Sequence, residues 1–140
     1  MVGCKWVEGR AVKEADGTLI VMEGNQHIPF EIKRVFVIRD VQQGVSRGNH
    51  ATKKTRLILF PVAGTCTVTV DDGTRREKYI LDDPAKGLMI EPMIWRSMQD
   101  FSEGCVLMSL CDRAYEPGNE TYEDYEEYLL AVKNGKDGLA

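Results

Sequence analysis

The sequence has no long apolar run. Met1 to Arg10 is mixed in character, so neither a signal peptide nor a membrane-spanning segment is expected, and the predicted location is the cytoplasm. Excess positive charge is also missing: the formal net charge is −4 over 140 residues. General nucleic-acid binders carry basic patches, so no nucleic-acid partner is expected. A small phosphate-bearing ligand stays open, because it needs only a few local arginines. Cysteines are few. Cys4, Cys66, Cys105 and Cys111 form no C-x-x-C pair, which argues against a zinc site. Cys66, Cys105 and Cys111 lie in apolar, strand-like runs and read as buried free thiols of a cytoplasmic protein. No cysteine has a histidine close in sequence, and a serine or cysteine nucleophile has no support. Internal repeats, low-complexity tracts and linkers are absent as well.

What is present is an ordinary globular balance, with 43% hydrophobic and 29% charged residues. The length suits a single domain over residues 1–140. Such a chain buries about two-thirds of its unfolded surface and needs no staple to fold. Short apolar runs recur between turn residues: Leu19 to Met22 after Asp16-Gly17, Ile32 to Val41, Leu57 to Val62, and Thr65 to Val70 before Asp71-Asp72-Gly73. Tyr79 to Leu81, Gly87 to Met98 and Cys105 to Leu110 follow. Many short strands at this spacing predict a sandwich or barrel. Val68 and Val70 should face the core, with Thr67 and Thr69 outward. Pro61 and Pro92 should mark an edge, a bulge or a strand end.

One helix is predicted, over Glu120 to Lys133, with Tyr122, Tyr125, Leu129 and Val132 at helical spacing. Thr121 or Asn119 would cap it and Gly135 would stop it. The tail after about residue 135 is expected to fray. The acidic residues Glu116, Glu120, Glu123, Asp124, Glu126 and Glu127 read as a solvated helix face. Tyr122 and Tyr125 would pack the helix on the barrel. Trp6 and Trp95 are either core or ligand-wall residues, and His27, before Ile28-Pro29, reads as a loop residue.

The stretch Arg47-Gly48-Asn49-His50-Ala51-Thr52-Lys53-Lys54 is a small basic cluster around one histidine. Arginine and lysine suit phosphate, and a histidine beside them can move a proton near neutral pH. Taken alone, the cluster also fits a solvated basic loop. Read with Ile28-Pro29-Phe30-Glu31-Ile32-Lys33-Arg34-Val35, Asp71-Asp72-Gly73, Pro84-Ala85-Lys86-Gly87-Leu88, Pro92-Met93-Ile94-Trp95, Asp100-Phe101-Ser102 and Cys105-Val106-Leu107, it forms an ordered set. That set resembles the sugar 3,4-ketoisomerases acting on dTDP-4-keto-6-deoxyglucose, from roughly Gly17 to Tyr128. The resemblance implies an all-β cupin or jelly-roll barrel with a C-terminal helix, forming a homodimer by exchange of N-terminal strands. It implies a nucleotide-sugar substrate, dTDP-linked, whose keto group moves between C4 and C3 through an enediol. It implies no metal and no cofactor, and products that generally feed amino-sugar synthesis for surface glycans.

The chain departs from the family pattern at polar positions. R-G-x-H-A-H-K keeps its first histidine as His50, but the second position holds Thr52. Leu57 stands where glutamine is common, Trp95-Arg96 where W-H is common, and Phe36 and Val37 where tyrosines are common. Metal-binding cupins need two histidines, a carboxylate and a later histidine; with only His27 and His50 and no H-x-H, that set cannot be assembled. His50 is the candidate proton-transfer residue, and one base can return what it removes. Arg96 cannot take a proton; it either stabilises an enolate or a phosphate, or pairs with Glu91. Arg47 and Lys53 are candidates for the diphosphate or sugar, and Thr52 for a sugar hydroxyl. Two other readings stand beside the isomerase: a non-catalytic nucleotide-sugar binding paralogue, and an isomerase or epimerase of another nucleotide sugar.

Overall fold

Strands alternate their side chains across a sheet, and this chain uses both faces. The computed structural model describes residues 1–138. Along them the strands are β1 (Cys4–Glu8), β2 (Arg10–Glu14), β3 (Gly17–Val21), β4 (Arg34–Arg39), β5 (Arg47–Thr52) and β6 (Leu57–Ala63). Then come β7 (Cys66–Asp71), β8 (Arg76–Leu81), β9 (Lys86–Ile90), β10 (Trp95–Gln99), β11 (Val106–Cys111) and β12 (Thr121–Tyr122), followed by the helix α1 (Tyr125–Gly138). Two five-stranded antiparallel sheets, ordered β1-β9-β6-β11-β4 and β12-β5-β10-β7-β8, face each other, and β2-β3 form a separate hairpin. This is the all-β jelly-roll architecture with a C-terminal helix that the resemblance implies.

On β6, Leu57 and Leu59 point between the sheets, where they meet Val68 and Val70 of β7, Leu88 and Ile90 of β9, Met98 of β10 and Leu107 of β11. Ile58 and Phe60, the alternate residues, join a second cluster with Met89, Leu110 and Val7, closed by Ile28 and Phe30 from the segment before β4. Each fully buried aliphatic or aromatic side chain contributes about 1.5–3 kcal/mol. Gly87 of β9 lies under this second cluster. A Cβ there would sit 2.7 Å from Ile58 Cγ2 and 2.8 Å from the Phe60 ring, so only glycine lets the strands meet.

The turn and proline readings hold. Val68 and Val70 are buried, while Thr67 and Thr69 are partly exposed. Asp71 Oδ1 accepts from Gly73 N at 2.7 Å and Asp72 Oδ1 from Arg75 N at 2.8 Å, closing the β7–β8 hairpin. Pro61 adjoins a bulge: Leu107 opposes Pro61 and Val106 opposes Ala63, leaving Val62 extra. Pro92 lies between β9 and β10. All four cysteines are buried and free. Burial pushes the Cys66 thiol up to about 12 and Cys4 to about 11, so neither is a thiolate at neutral pH. No helix among the described residues is long and apolar enough to cross a membrane.

The helix prediction needs correction. The helix begins at Tyr125, because Thr121 and Tyr122 pair as β12 with Thr52 and Ala51 of β5. That edge of β5 would otherwise leave backbone groups unpaired. The cap is neither Thr121 nor Asn119 but Asp124, whose Oδ1 accepts from Glu126 N at 2.8 Å and Glu127 N at 3.3 Å. Gly135 does not stop the helix, which continues to Gly138; a helical glycine costs only about 1 kcal/mol. The segment expected to fray after about residue 135 is assigned to the helix as far as Gly138, and residues 139 and 140 lie outside the described residues. Tyr128, fully buried, is the anchor: its hydroxyl lies 2.9 Å from Asp71 O and 2.8 Å from Met93 O.

Candidate functional site

β4 ends one sheet, and β5 lies next to the short β12 in the other. Cavities open between them. The local geometry begins with a bulge. Arg96 opposes His50 and Ser97 opposes Gly48, so Asn49, in a left-handed conformation (φ 58°), is the extra residue. A bulge re-aims the side chains beside it, and this one places His50 across from Arg96. A cavity of about 410 Å³ is lined by Arg34, Phe36, His50, Thr52, Glu120 and Glu123, among others. A second, of about 220 Å³, is lined by Phe36, Ile38, Arg47, His50, Arg96 and Met98, among others. His50, Phe36 and Leu57 border both. The larger cavity alone is within the range of about 300–1,000 Å³ typical of small-ligand sites.

Arg96 is the most unusual group. It is 2% exposed, and its Nη2 donates to Thr52 Oγ1 at 3.2 Å. Its Nε and Nη1 have no partner. Burial draws its pKa down to about 10, which still leaves it protonated at neutral pH. Two buried nitrogens without partners on a cation are costly, and a negatively charged or carbonyl oxygen in the adjoining cavity would satisfy them. Glu91 does not, because it is taken by Arg56, with Nε to Oε2 at 2.9 Å. The Arg96–Glu91 pairing weighed from the sequence is therefore not formed.

Thr52, 3% exposed, donates its hydroxyl proton to Thr55 O at 2.7 Å and accepts from Arg96. It thus fixes the guanidinium, and its proton is already committed. His50 keeps a side-chain exposure of 29%. Burial lowers its pKa from the ordinary 6.5, and the Arg96 charge lowers it further, against opposition from Glu123 and Glu120. A neutral imidazole at pH 7 can act as a base.

The other sequence candidates are more dispersed. Arg47 is exposed at the rim of the smaller cavity and of a surface depression beside Gln42 and Val45. Lys53 does not line the two cavities. Its Nζ donates to Asn119 Oδ1 at 2.8 Å and lies 4.8 Å from the Tyr122 ring centre, and its N–H donates to Glu120 O at 2.9 Å. It clamps the segment leading to β12. Trp95 packs against Tyr125 and Tyr128 under the helix, and Trp6 against Tyr79 and Lys86; neither lines these cavities. His27 is a loop residue whose Nδ1 accepts from Glu23 N at 3.1 Å.

The acidic run is not only a solvated helix face. Glu120 pairs with Arg34 at 2.6 Å inside the larger cavity, and Arg34 is held between Phe36 and Tyr115 at 5.3 and 5.4 Å. Glu123 Oε2 lies 3.7 Å from His50 Nδ1. These residues escaped sequence reasoning because a two-residue strand leaves no periodic signal. Among the described residues, no three His, Cys, Asp or Glu side chains gather as a metal-ligand group.

Residues 2–133 match the family model described as FdtA: WxcM-like, C-terminal. The chain is 35% identical over 136 residues to the TDP-4-oxo-6-deoxy-alpha-D-glucose-3,4-oxoisomerase of Aneurinibacillus thermoaerophilus, a match covering 96% of this chain and 98% of that one. Its structure is similar to a mutant of the 3,4-ketoisomerase QdtA from Thermoanaerobacterium thermosaccharolyticum, solved with TDP-4-keto-6-deoxyglucose. That match has a TM-score of 0.92, 30% identity and 96% coverage of both chains. It is also similar to the WlaRB TDP-quinovose 3,4-ketoisomerase of Campylobacter jejuni, with a TM-score of 0.86, 36% identity, and 93% and 99% of the respective chains covered.

Proposed function

The chain belongs to the FdtA family, WxcM-like C-terminal, and on that premise we propose that it is a 3,4-ketoisomerase of a TDP-linked 4-keto-6-deoxy sugar. The observation that carries the reading is the pairing of a neutral His50 with the guanidinium of Arg96, whose Nε and Nη1 are without partners, on the wall of one cavity. The reaction needs both. His50 removes the proton from C3, and the C–H electron pair forms the C3–C4 double bond while the C4 carbonyl oxygen takes negative charge. The Arg96 N–H groups stabilise that oxygen, a contribution of about 10²–10³ in rate for such donors. A proton passes from O3 to O4, the carbonyl re-forms at C3, and His50 returns a proton to C4. Thr52 holds Arg96 in place from behind. Arg47 is the candidate for the diphosphate at the rim, and Lys53 contributes by securing the segment that closes the larger cavity.

The protein is further read as a cytoplasmic homodimer whose product enters amino-sugar synthesis for surface glycans. Strand exchange would replace the β1–β9 pairing within one chain by the same pairing between two. Light scattering at micromolar concentration gives a dimer on this reading; a monomer contradicts it. The function is tested by incubating the protein with TDP-4-keto-6-deoxyglucose and following the sugar by NMR. The expected result is a 3-keto product, formed faster than from UDP- or GDP-linked analogues. Tight binding by calorimetry with an unchanged sugar would instead identify a binding paralogue, consistent with the histidine replaced by Thr52.

A further inference from the structure

A base on a strand is useful only if its ring is held with one nitrogen toward the substrate. We propose that Glu123 is a positioning residue for His50, holding the imidazole by Nδ1 so that Nε2 is the nitrogen that exchanges protons with the sugar. The inference deepens the isomerase reading and rests on it for its catalytic meaning. Three observations carry it. Glu123 Oε2 is the carboxylate oxygen nearest His50 Nδ1, at 3.7 Å. Its other oxygen, Oε1, accepts from Thr121 Oγ1 at 2.7 Å, which leaves Oε2 facing the ring. Thr121 itself is held opposite Thr52 by the β12–β5 pairing, and Tyr122 opposite Ala51. The carboxylate is thus delivered to the histidine by backbone pairing rather than by a long side chain searching through solvent. A distance of 3.7 Å is not yet a hydrogen bond; a small rotation of this exposed side chain makes it one, as catalytic hydrogen bonds tighten on substrate binding.

The surroundings leave few competitors. The titratable or charged groups bordering the same cavities are Arg34 from β4, Arg47 from β5, Arg96 from β10, and Tyr115, Glu120 and Glu123 from the segment around β12. The arginines cannot accept a proton from Nδ1. Glu120 is bound to Arg34. Glu123 is the carboxylate in range, and its charge offsets part of the downward pull of burial and Arg96 on the imidazole.

With only His27 and His50 in the chain, the test is direct. Long-range ¹H–¹⁵N spectra of ligand-free protein above neutral pH should show His50 as the Nδ1–H tautomer, assigned with a His27→Gln variant. Glu123→Gln should move it toward the Nε2–H tautomer, and Thr121→Val should do so in part. In turnover, Glu123→Gln should lower kcat about tenfold with KM little changed. It should also shift the acidic limb of kcat/KM to lower pH, because a charge that raises the His50 pKa is gone. An unchanged tautomer and an unmoved limb in Glu123→Gln would overturn the proposal. The spectra need no turnover, so a protein that binds but does not isomerise still reports on Glu123, and an active protein with an unchanged tautomer removes the positioning role alone.

Discussion

At the scale of single residues, Arg96 sets function against stability. Its buried guanidinium has two nitrogens without partners, a cost on the order of 1–3 kcal/mol. Arg96→Met is therefore expected to raise the melting temperature of the unligated protein while lowering isomerisation by about 10²–10³. Calorimetry and a product assay on the same preparation check both, and a lower melting temperature would contradict the account. This freedom of Arg96 was not legible in the sequence. Glu91, the neighbour in sequence, is claimed by Arg56, and that pairing depends on strand register rather than spacing. His50 was legible, because its basic surroundings and ordered neighbours are written in one short stretch. Thr52 was half legible: its chemistry excludes a base, but its role as a brace for Arg96 comes from the β5–β10 alignment.

At the scale of elements, the end of the chain does two jobs. α1 locks onto the second sheet through Tyr128, and the segment before it crosses the cavity mouth through β12. Tyr128→Ala should cost about 3–5 kcal/mol, whereas Asp124→Ala, which removes only the cap, should cost about 1 kcal/mol. Urea midpoints measure both, and equal losses would mean that the helix is not anchored by that ring. On the other sheet, Gly87→Ala forces a methyl group against Ile58 and Phe60 and should cost about 1–3 kcal/mol. The strands themselves were readable from alternation and turn residues, as β7 and its hairpin illustrate. The helix start was misplaced because Tyr122 fits a helical spacing as well as a strand. The decision between them lies in the edge of β5, which the local sequence does not contain.

For the molecule as a whole, pH acts through groups of opposite charge type, His50 and Asp71 among them. His50 has a folded pKa below its ordinary 6.5. Its contribution to stability is therefore complete above that value and is lost as pH falls through the folded pKa. Burial alone would raise the pKa of Asp71. Donation from Tyr125 Oη at 2.6 Å, Gly73 N and Arg76 outweighs burial and holds the net value below the ordinary 3.8. Its contribution is complete above that value and disappears as pH falls further. Stability is therefore expected to fall in two stages on acidification, with Asp71→Asn shrinking the lower stage, to which Glu77 also contributes; a urea series across pH distinguishes this from a single transition. The barrel could be foreseen because strand patterns and turn chemistry are local. The cavity could not be, since its wall joins His50 to residues seventy or so positions away.

The most direct measurement of the central claim is the fate of the C3 proton of TDP-4-keto-6-deoxyglucose in deuterated water, compared between the native protein and His50→Asn. The account predicts loss of the C3–H signal with growth of the 3-keto sugar for the native protein, and a rate lower by about 10²–10⁴ for the variant. Equal rates in the two proteins would show that another group moves the proton.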